Sequence, residues 1–79
     1  MTKKKWMKIF ASRVNSRMNL LCINQKELAE DTGISRTTIH RYLNGKQMPK
    51  IDAIINIAKV LEYHVSELVD VGEMIHWYF

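Results

Sequence analysis

One proline and three glycines in 79 residues leave few of the tight turns on which a small β-protein is built. A single cysteine, Cys22, excludes an internal disulfide and suits a reducing, cytoplasmic setting. With no histidine near it in sequence, Cys22 reads as a small core residue at a helix end rather than a reactive thiol. Long apolar runs are missing too: the most apolar segment, IDAIINIAKVL, carries Asp52, Asn56 and Lys59, so no membrane span is expected. The lysine-rich start opens like a secretory leader, but Lys8 and Arg13 break the stretch behind it before an apolar region can form. His40, His64 and His76 stand far apart, and the chain has no H-E-x-x-H, no C-x-x-C and no glycine-rich phosphate loop. Neither a metal nor another cofactor is expected, and an enzyme is the weakest reading.

What is present is ordinary globular composition, 47% hydrophobic and 25% charged, in a length that holds one domain with one modest core. The fold class this implies is all-α. The net charge of +4 is modest but unevenly spread. Residues 1–50 hold eleven Lys/Arg against three Asp/Glu, a balance of +8, and residues 51–79 hold Lys59 against five acids, a balance of −4. A cationic pole of this kind points to an anionic partner, nucleic acid or an acidic membrane surface, more than to a small acidic substrate.

Trp6, Phe10, Val14, Met18 and Leu21 recur every three or four positions and predict a first amphipathic helix over residues 4–21. Asn24 suits the N-cap of a second helix, and Glu27 falls where a capping box requires it. Leu28 and Ala29 face inward there, and Gly33 ends the helix. Ser35 caps a third helix that runs to about Leu43, where Asn44-Gly45-Lys46 supplies a left-handed stop. Pro49 precedes a fourth, with Ile51, Ile54, Ile55, Ala58 and Leu61 as its expected buried stripe. His64 or Ser66 starts a short fifth turn that buries Val65 and Leu68. Residues 1–72 thus form one five-helix domain, followed by a short apolar extension, residues 73–79.

The interruption at Gly33 lets two short helices meet at a sharp angle while Leu28, Ala29, Ile39 and Tyr42 pack into one wedge, which is a helix-turn-helix. Gln25 opening the second helix, Leu28-Ala29 within it, Gly33 at the turn, Ile39 in the third helix and Asn44-Gly45-Lys46 closing it resemble the phage repressor and Cro type of helix-turn-helix protein, the XRE family. The likeness covers roughly residues 9–69. It implies a compact five-helix repressor-like domain in which Gln25 and the exposed face of the third helix meet DNA. Some members of that family link the first helix to the end of the third by a buried arginine–glutamate pair, where Met18 and Leu43 stand in this chain, so an apolar contact is expected instead. Glu62, Tyr63 and His64 also depart from the family's usual Gly, Val and Ser before the fifth helix.

The residues agree with the resemblance on their own terms. With Ile39 and Tyr42 turned inward, Arg36, Thr37, Thr38, His40 and Arg41 face out and are the candidates for reading base edges. Arginine offers a fork of donors that matches guanine O6 and N7, and threonine a methyl group for the thymine methyl. Asn24 and Gln25, at the start of the second helix, are placed for a phosphate, with Asn44, Lys46, Lys50 and Arg17 as further backbone contacts. Lys3-Lys4-Lys5 reads as a solubilising start rather than an arm on DNA.

The function that follows is sequence-specific binding to a pseudo-palindromic double-stranded DNA operator as a homodimer, in a Cro-like or other small repressor without a separate inducer-binding or catalytic domain. No small-molecule ligand is expected. The alternative is an antitoxin or restriction-modification controller that uses the same module beside a protein partner. A helical interaction domain that had lost its DNA contacts would lack arginines on the third helix, and Arg36 and Arg41 are present. Ile57 and Val60 fall off the expected core stripe of the fourth helix, and with Trp77 in the apolar extension they are the candidates for the subunit interface, the alternative being that the extension folds back onto the core near Trp6.

Overall fold

The computed structural model describes residues 2–68. They form five helices, α1 (Lys3–Leu21), α2 (Gln25–Thr32), α3 (Arg36–Leu43), α4 (Ile51–Val60) and α5 (Val65–Leu68), with no strand among the described residues. The expected boundary at residue 72 and the extension over 73–79, Trp77 included, lie outside the described residues.

The starts of α1, α2 and α3 follow local chemistry. The Thr2 hydroxyl accepts from the Lys5 N–H at 3.1 Å. Asn24 and Glu27 close a reciprocal capping box, the Glu27 N–H donating to Asn24 Oδ1 at 2.8 Å and the Asn24 N–H to Glu27 Oε1 at 3.3 Å. Ser35 Oγ accepts from the Thr38 N–H at 3.2 Å.

Three helix ends share one geometry. Cys22, Gly45 and Glu62 are left-handed, with φ of 57°, 65° and 54°. At each, the residue after it donates back to a carbonyl five positions earlier: Ile23 to Met18, Lys46 to Arg41 and Tyr63 to Ala58, all at 2.9 Å. Only Gly45 has the residue type this backbone favours, and it also lies against α1, where a Cβ would sit 3.6 Å from Lys8 Cγ. The same geometry corrects the reading of Cys22. The side chain of the left-handed residue turns away from the helix, so Cys22 is exposed and half-buried Ile23 makes the contact with the core instead.

Trp6, Phe10, Val14 and Met18 line the buried face of α1, with the Trp6 and Phe10 rings stacked at 5.7 Å and nearly parallel. Leu28 and Ala29 from α2, Ile39, Tyr42 and Leu43 from α3, and Leu68 from α5 complete a single core with α4. Met18 and Leu43 both belong to it, and the tie between α1 and the end of α3 is polar but uncharged: Asn15 Nδ2 donates to the Leu43 carbonyl at 3.3 Å and to Ala11 O at 2.9 Å.

The expected stripe of α4 holds at Ile54, Ala58 and Leu61 and fails at Ile51 and Ile55. Ile54, Ile57, Ala58 and Leu61 form the buried stripe, Ile57 with no exposed surface, whereas Ile55 is 52% exposed. Asp52, Asn56 and Lys59 recur at i, i+4 and i+7 on one face, so the helical period turns Ile54, Ile57 and Leu61 inward on the opposite face and leaves Ile55 at the border of the polar one. The helix is tied to α2, where Asn56 Nδ2 donates to the Thr32 carbonyl at 2.6 Å. Ile57 is therefore a core residue and not a subunit contact, and Val60 is half-buried against the same core.

Candidate nucleic-acid interface

The turn between α2 and α3 is held from three sides. Gly33 takes the left-handed conformation, φ 73°, with its N–H bonded to Ala29 O at 2.9 Å. Buried Thr32 donates its hydroxyl to Leu28 O at 2.7 Å and accepts from the Ile34 N–H at 3.2 Å, while its own carbonyl takes the Asn56 amide. These bonds fix the direction of α3 relative to α2 and α4. Sequence reasoning missed the roles of Thr32 and Asn56, although an asparagine inside the apolar run of α4 was the available signal.

α3 turns Ile39, Tyr42 and Leu43 inward and leaves Arg36, Thr37, His40 and Arg41 exposed. Neither the Arg36 nor the Arg41 guanidinium meets an acceptor among the described residues. Both are free to donate in pairs to a planar acceptor edge. Thr38 differs from its neighbours. It is half-buried, its hydroxyl accepts from Ser35 Oγ at 2.8 Å, and it turns to the α4 flank, where it lines a shallow pocket of about 300 Å³ with Tyr42 and Lys50. Burial and the nearby charge of Asp52 push the Tyr42 phenol above its usual pKa, opposed by a hydrogen bond from the Lys50 backbone N–H.

On the α2 flank, Gln25, Arg36, Thr37 and His40 line a second open pocket of about 330 Å³. His40 Nδ1 lies 3.3 Å from Gln25 Oε1, a side-chain link from α3 to α2. The exposed face of α3 is thus a polar ridge between two concavities.

The residues proposed for phosphates divide. Asn24, Gln25, Lys46 and Lys50 stand at the start of α2, just after α3 and at the start of α4, around the ridge. Asn44 spends one amide hydrogen on the His40 carbonyl at 2.8 Å, securing the end of α3. Arg17 is committed elsewhere: Nε donates to Leu61 O at 3.0 Å, Nη2 to Glu62 O at 3.1 Å, and the guanidinium covers the Tyr63 ring. It caps the carbonyl end of α4, where a cation opposes the negative end of the helix dipole, and this replaces the expected phosphate contact. Among the described residues no group of three His, Cys, Asp or Glu side chains could hold a metal ion, and no helix is long and apolar enough to cross a membrane.

Comparison with known proteins matches this geometry. A restriction-modification controller protein, C.AhdI of Aeromonas hydrophila, superposes with a TM-score of 0.76 at 21% identity, over 78% of this chain and 94% of that one. A transcriptional regulator from Vibrio cholerae superposes with a TM-score of 0.79, also at 21% identity, over 85% of this chain and 38% of that one. At this identity both show the shared fold. In sequence, the chain is 29% identical over 65 residues to the transcriptional repressor RstR of the cryptic phage CTXphi of Vibrio cholerae. That match covers 82% of this chain and 59% of the repressor, so the chain spans about three-fifths of that relative's length. The sequence profile of the helix-turn-helix family HTH_3 matches residues 17–68, from the middle of α1 to the end of α5. The chain belongs to this helix-turn-helix family.

Proposed function

We propose that the protein binds double-stranded DNA sequence-specifically as a homodimer and acts as a transcriptional repressor. The observation that carries this reading is the α3 ridge. Two exposed arginines without partners among the described residues, with Thr37 and His40 between them, project from a helix whose direction is held by the Thr32–Asn56 bond. Such a helix fits the major groove, and arginine is the side chain best matched to guanine edges there. Gln25, Lys46 and Lys50 flank the ridge at positions suited to phosphates, which set register and orientation. Similarity to a phage repressor supports repression over activation.

One module buries too little surface on DNA for strong specific binding, so two copies related by a two-fold axis would read an inverted repeat with half-site centres about 34 Å apart. With Ile57 in the core, exposed Ile55 is the large apolar side chain that α4 leaves to a second subunit. Selection from random duplex DNA tests the reading, and an inverted repeat is the expected consensus. Recovery of no consensus would overturn it. Sedimentation tests the contact: an Ile55→Lys variant is expected to shift toward monomer, and a variant as dimeric as the parent rules Ile55 out.

The likeness to a restriction-modification controller keeps a second reading in view, the same module in a controller. Its mark would be an operator upstream of restriction genes, and the DNA-binding chemistry would be the same.

A further inference from the structure

We propose that His40 determines specificity by reading an exocyclic amino group, adenine N6 or cytosine N4, with an imidazole whose tautomer is set by Gln25. The inference rests on the DNA-reading role proposed for α3 and adds which base chemistry one residue recognises.

The contact between His40 Nδ1 and Gln25 Oε1 is 3.3 Å long, and an amide oxygen only accepts. Nδ1 must therefore carry the hydrogen. In the neutral ring this leaves Nε2 as a bare lone pair, and no described residue meets it. His40 thus presents an acceptor on a face where its neighbours Arg36 and Arg41 present only donors.

Gln25 gives a second reason for this arrangement. It is the first residue of α2, beside the unpaired N–H groups of that helix's first turn. With its carbonyl turned to His40, its amide NH2 is left outward, and a phosphate, which only accepts, is the group that suits it. The reversed arrangement would turn the Gln25 carbonyl toward phosphate oxygens and leave two acceptors facing each other. Contact with DNA therefore favours the same tautomer that the hydrogen bond requires.

Among major-groove edges, adenine and cytosine offer an amino donor, whereas guanine offers the acceptors N7 and O6. Arg36 lines the same pocket one helical turn before His40 and supplies donors. The pocket then sets the imidazole acceptor beside a donor fork, with the Thr37 hydroxyl able to serve either way, and neighbouring base pairs of opposite polarity would satisfy it.

Two measurements test this. In long-range proton–nitrogen spectra of the free, histidine-labelled full chain, with His40 assigned by its loss in His40→Ala, Nδ1 is expected to be protonated and Nε2 bare. A protonated Nε2 overturns the proposal whatever the protein does on DNA. The second compares the consensus selected by the parent chain with those of His40→Ala and Gln25→Ala. At one base pair the parent is expected to prefer adenine or cytosine on the contacted strand by about 5- to 150-fold. Both variants should lose that preference while keeping preferences that depend on Arg41. A guanine or thymine preference at the His40-dependent position, or a consensus that His40→Ala leaves unchanged, overturns the His40 assignment and leaves the wider DNA-reading role standing. Absence of any consensus overturns both.

Discussion

The Arg17 guanidinium lies 4.8 Å from the centroid of the Tyr63 ring while donating to the carbonyls of Leu61 and Glu62, so one side chain of α1 closes the turn between α4 and α5. Charge, hydrogen bonds and ring contact act together at a helix C-terminus. Changing Arg17 to methionine, which keeps some of the packing, should cost about 1–3 kcal/mol in urea unfolding. Sequence preference on DNA should not change. If stability were unaffected and the salt dependence of binding fell by about one unit of log–log slope, Arg17 would be a phosphate contact after all.

The left-handed ends of α1 and α4 carry Cys22 and Glu62, side chains that this backbone disfavours. The interactions that close each turn are main-chain bonds, including the Glu62 carbonyl that Arg17 uses, so glycine can replace either residue without removing one. Cys22→Gly and Glu62→Gly are each expected to raise stability by about 0.5–1 kcal/mol, after allowing for the greater freedom of glycine in the unfolded chain. Thermal unfolding checks this. A drop in melting temperature for both would show that these backbones carry no strain.

On DNA the arginines and the lysine should separate. Arg41→Ala and Arg36→Ala are expected to cost about 1–3 kcal/mol on the selected site and to relax preference at one base pair each. Lys46→Ala should weaken all duplexes alike and flatten the salt dependence. Binding isotherms on selected and scrambled duplexes at several salt concentrations distinguish the two patterns. Arginine variants that kept full discrimination would move the reading face off α3.

Much of this was legible because the signals were local. Asn24 with Glu27, Gly33 and Ser35 each fix a helix boundary through bonds within a few residues, and all stand where the sequence placed them. The exposed face of α3 followed from its period for Arg36, Thr37, His40 and Arg41, whereas Thr38, expected among the base readers, sits at the edge of that face and turns to the α4 flank. In α4 the same period separates Ile57, opposite Asp52, Asn56 and Lys59, from Ile55, which borders that polar face, and the expected stripe misplaced both because it followed the isoleucine spacing and not the polar positions. Arg17 and Asn15 were misread or missed for a different reason. Their partners lie 44 and 28 residues away, beyond any local rule.

Tyr42 predicts a pH effect. Burial raises its pKa from the ordinary value of about 10, so the neutral phenol is the form the fold prefers. The stability this contributes is fully present below about pH 10. Above that the unfolded chain releases its proton first, and the contribution is lost as pH climbs through the folded pKa. Tyr42→Phe cannot titrate, so its stability should fall less steeply on the alkaline side than that of the parent, at a cost at neutral pH of about 0.5–1.5 kcal/mol for the lost bond to the Lys50 N–H. Urea unfolding at neutral and alkaline pH measures both effects. Parallel pH profiles for the two chains would show that the phenol is not held neutral.

The bond from Asn56 to the Thr32 carbonyl joins the core helix α4 to the last residue of α2, immediately before the turn that aims α3. Leucine at position 56 keeps the branched skeleton of four side-chain heavy atoms and suits the apolar run around it, so the helix itself should tolerate Asn56→Leu. What changes is the Thr32 carbonyl, half shielded from water and left without its donor, which should cost about 1–3 kcal/mol. Since α3 takes its direction from that turn, the variant is also expected to bind the selected operator more weakly with its order of base preference intact, because every recognition side chain moves together. Denaturation curves and the binding panel read the two consequences separately. An Asn56→Leu chain as stable as the parent and equally tight on DNA would show that packing alone orients the turn, and the hydrogen bond would lose its place in the mechanism.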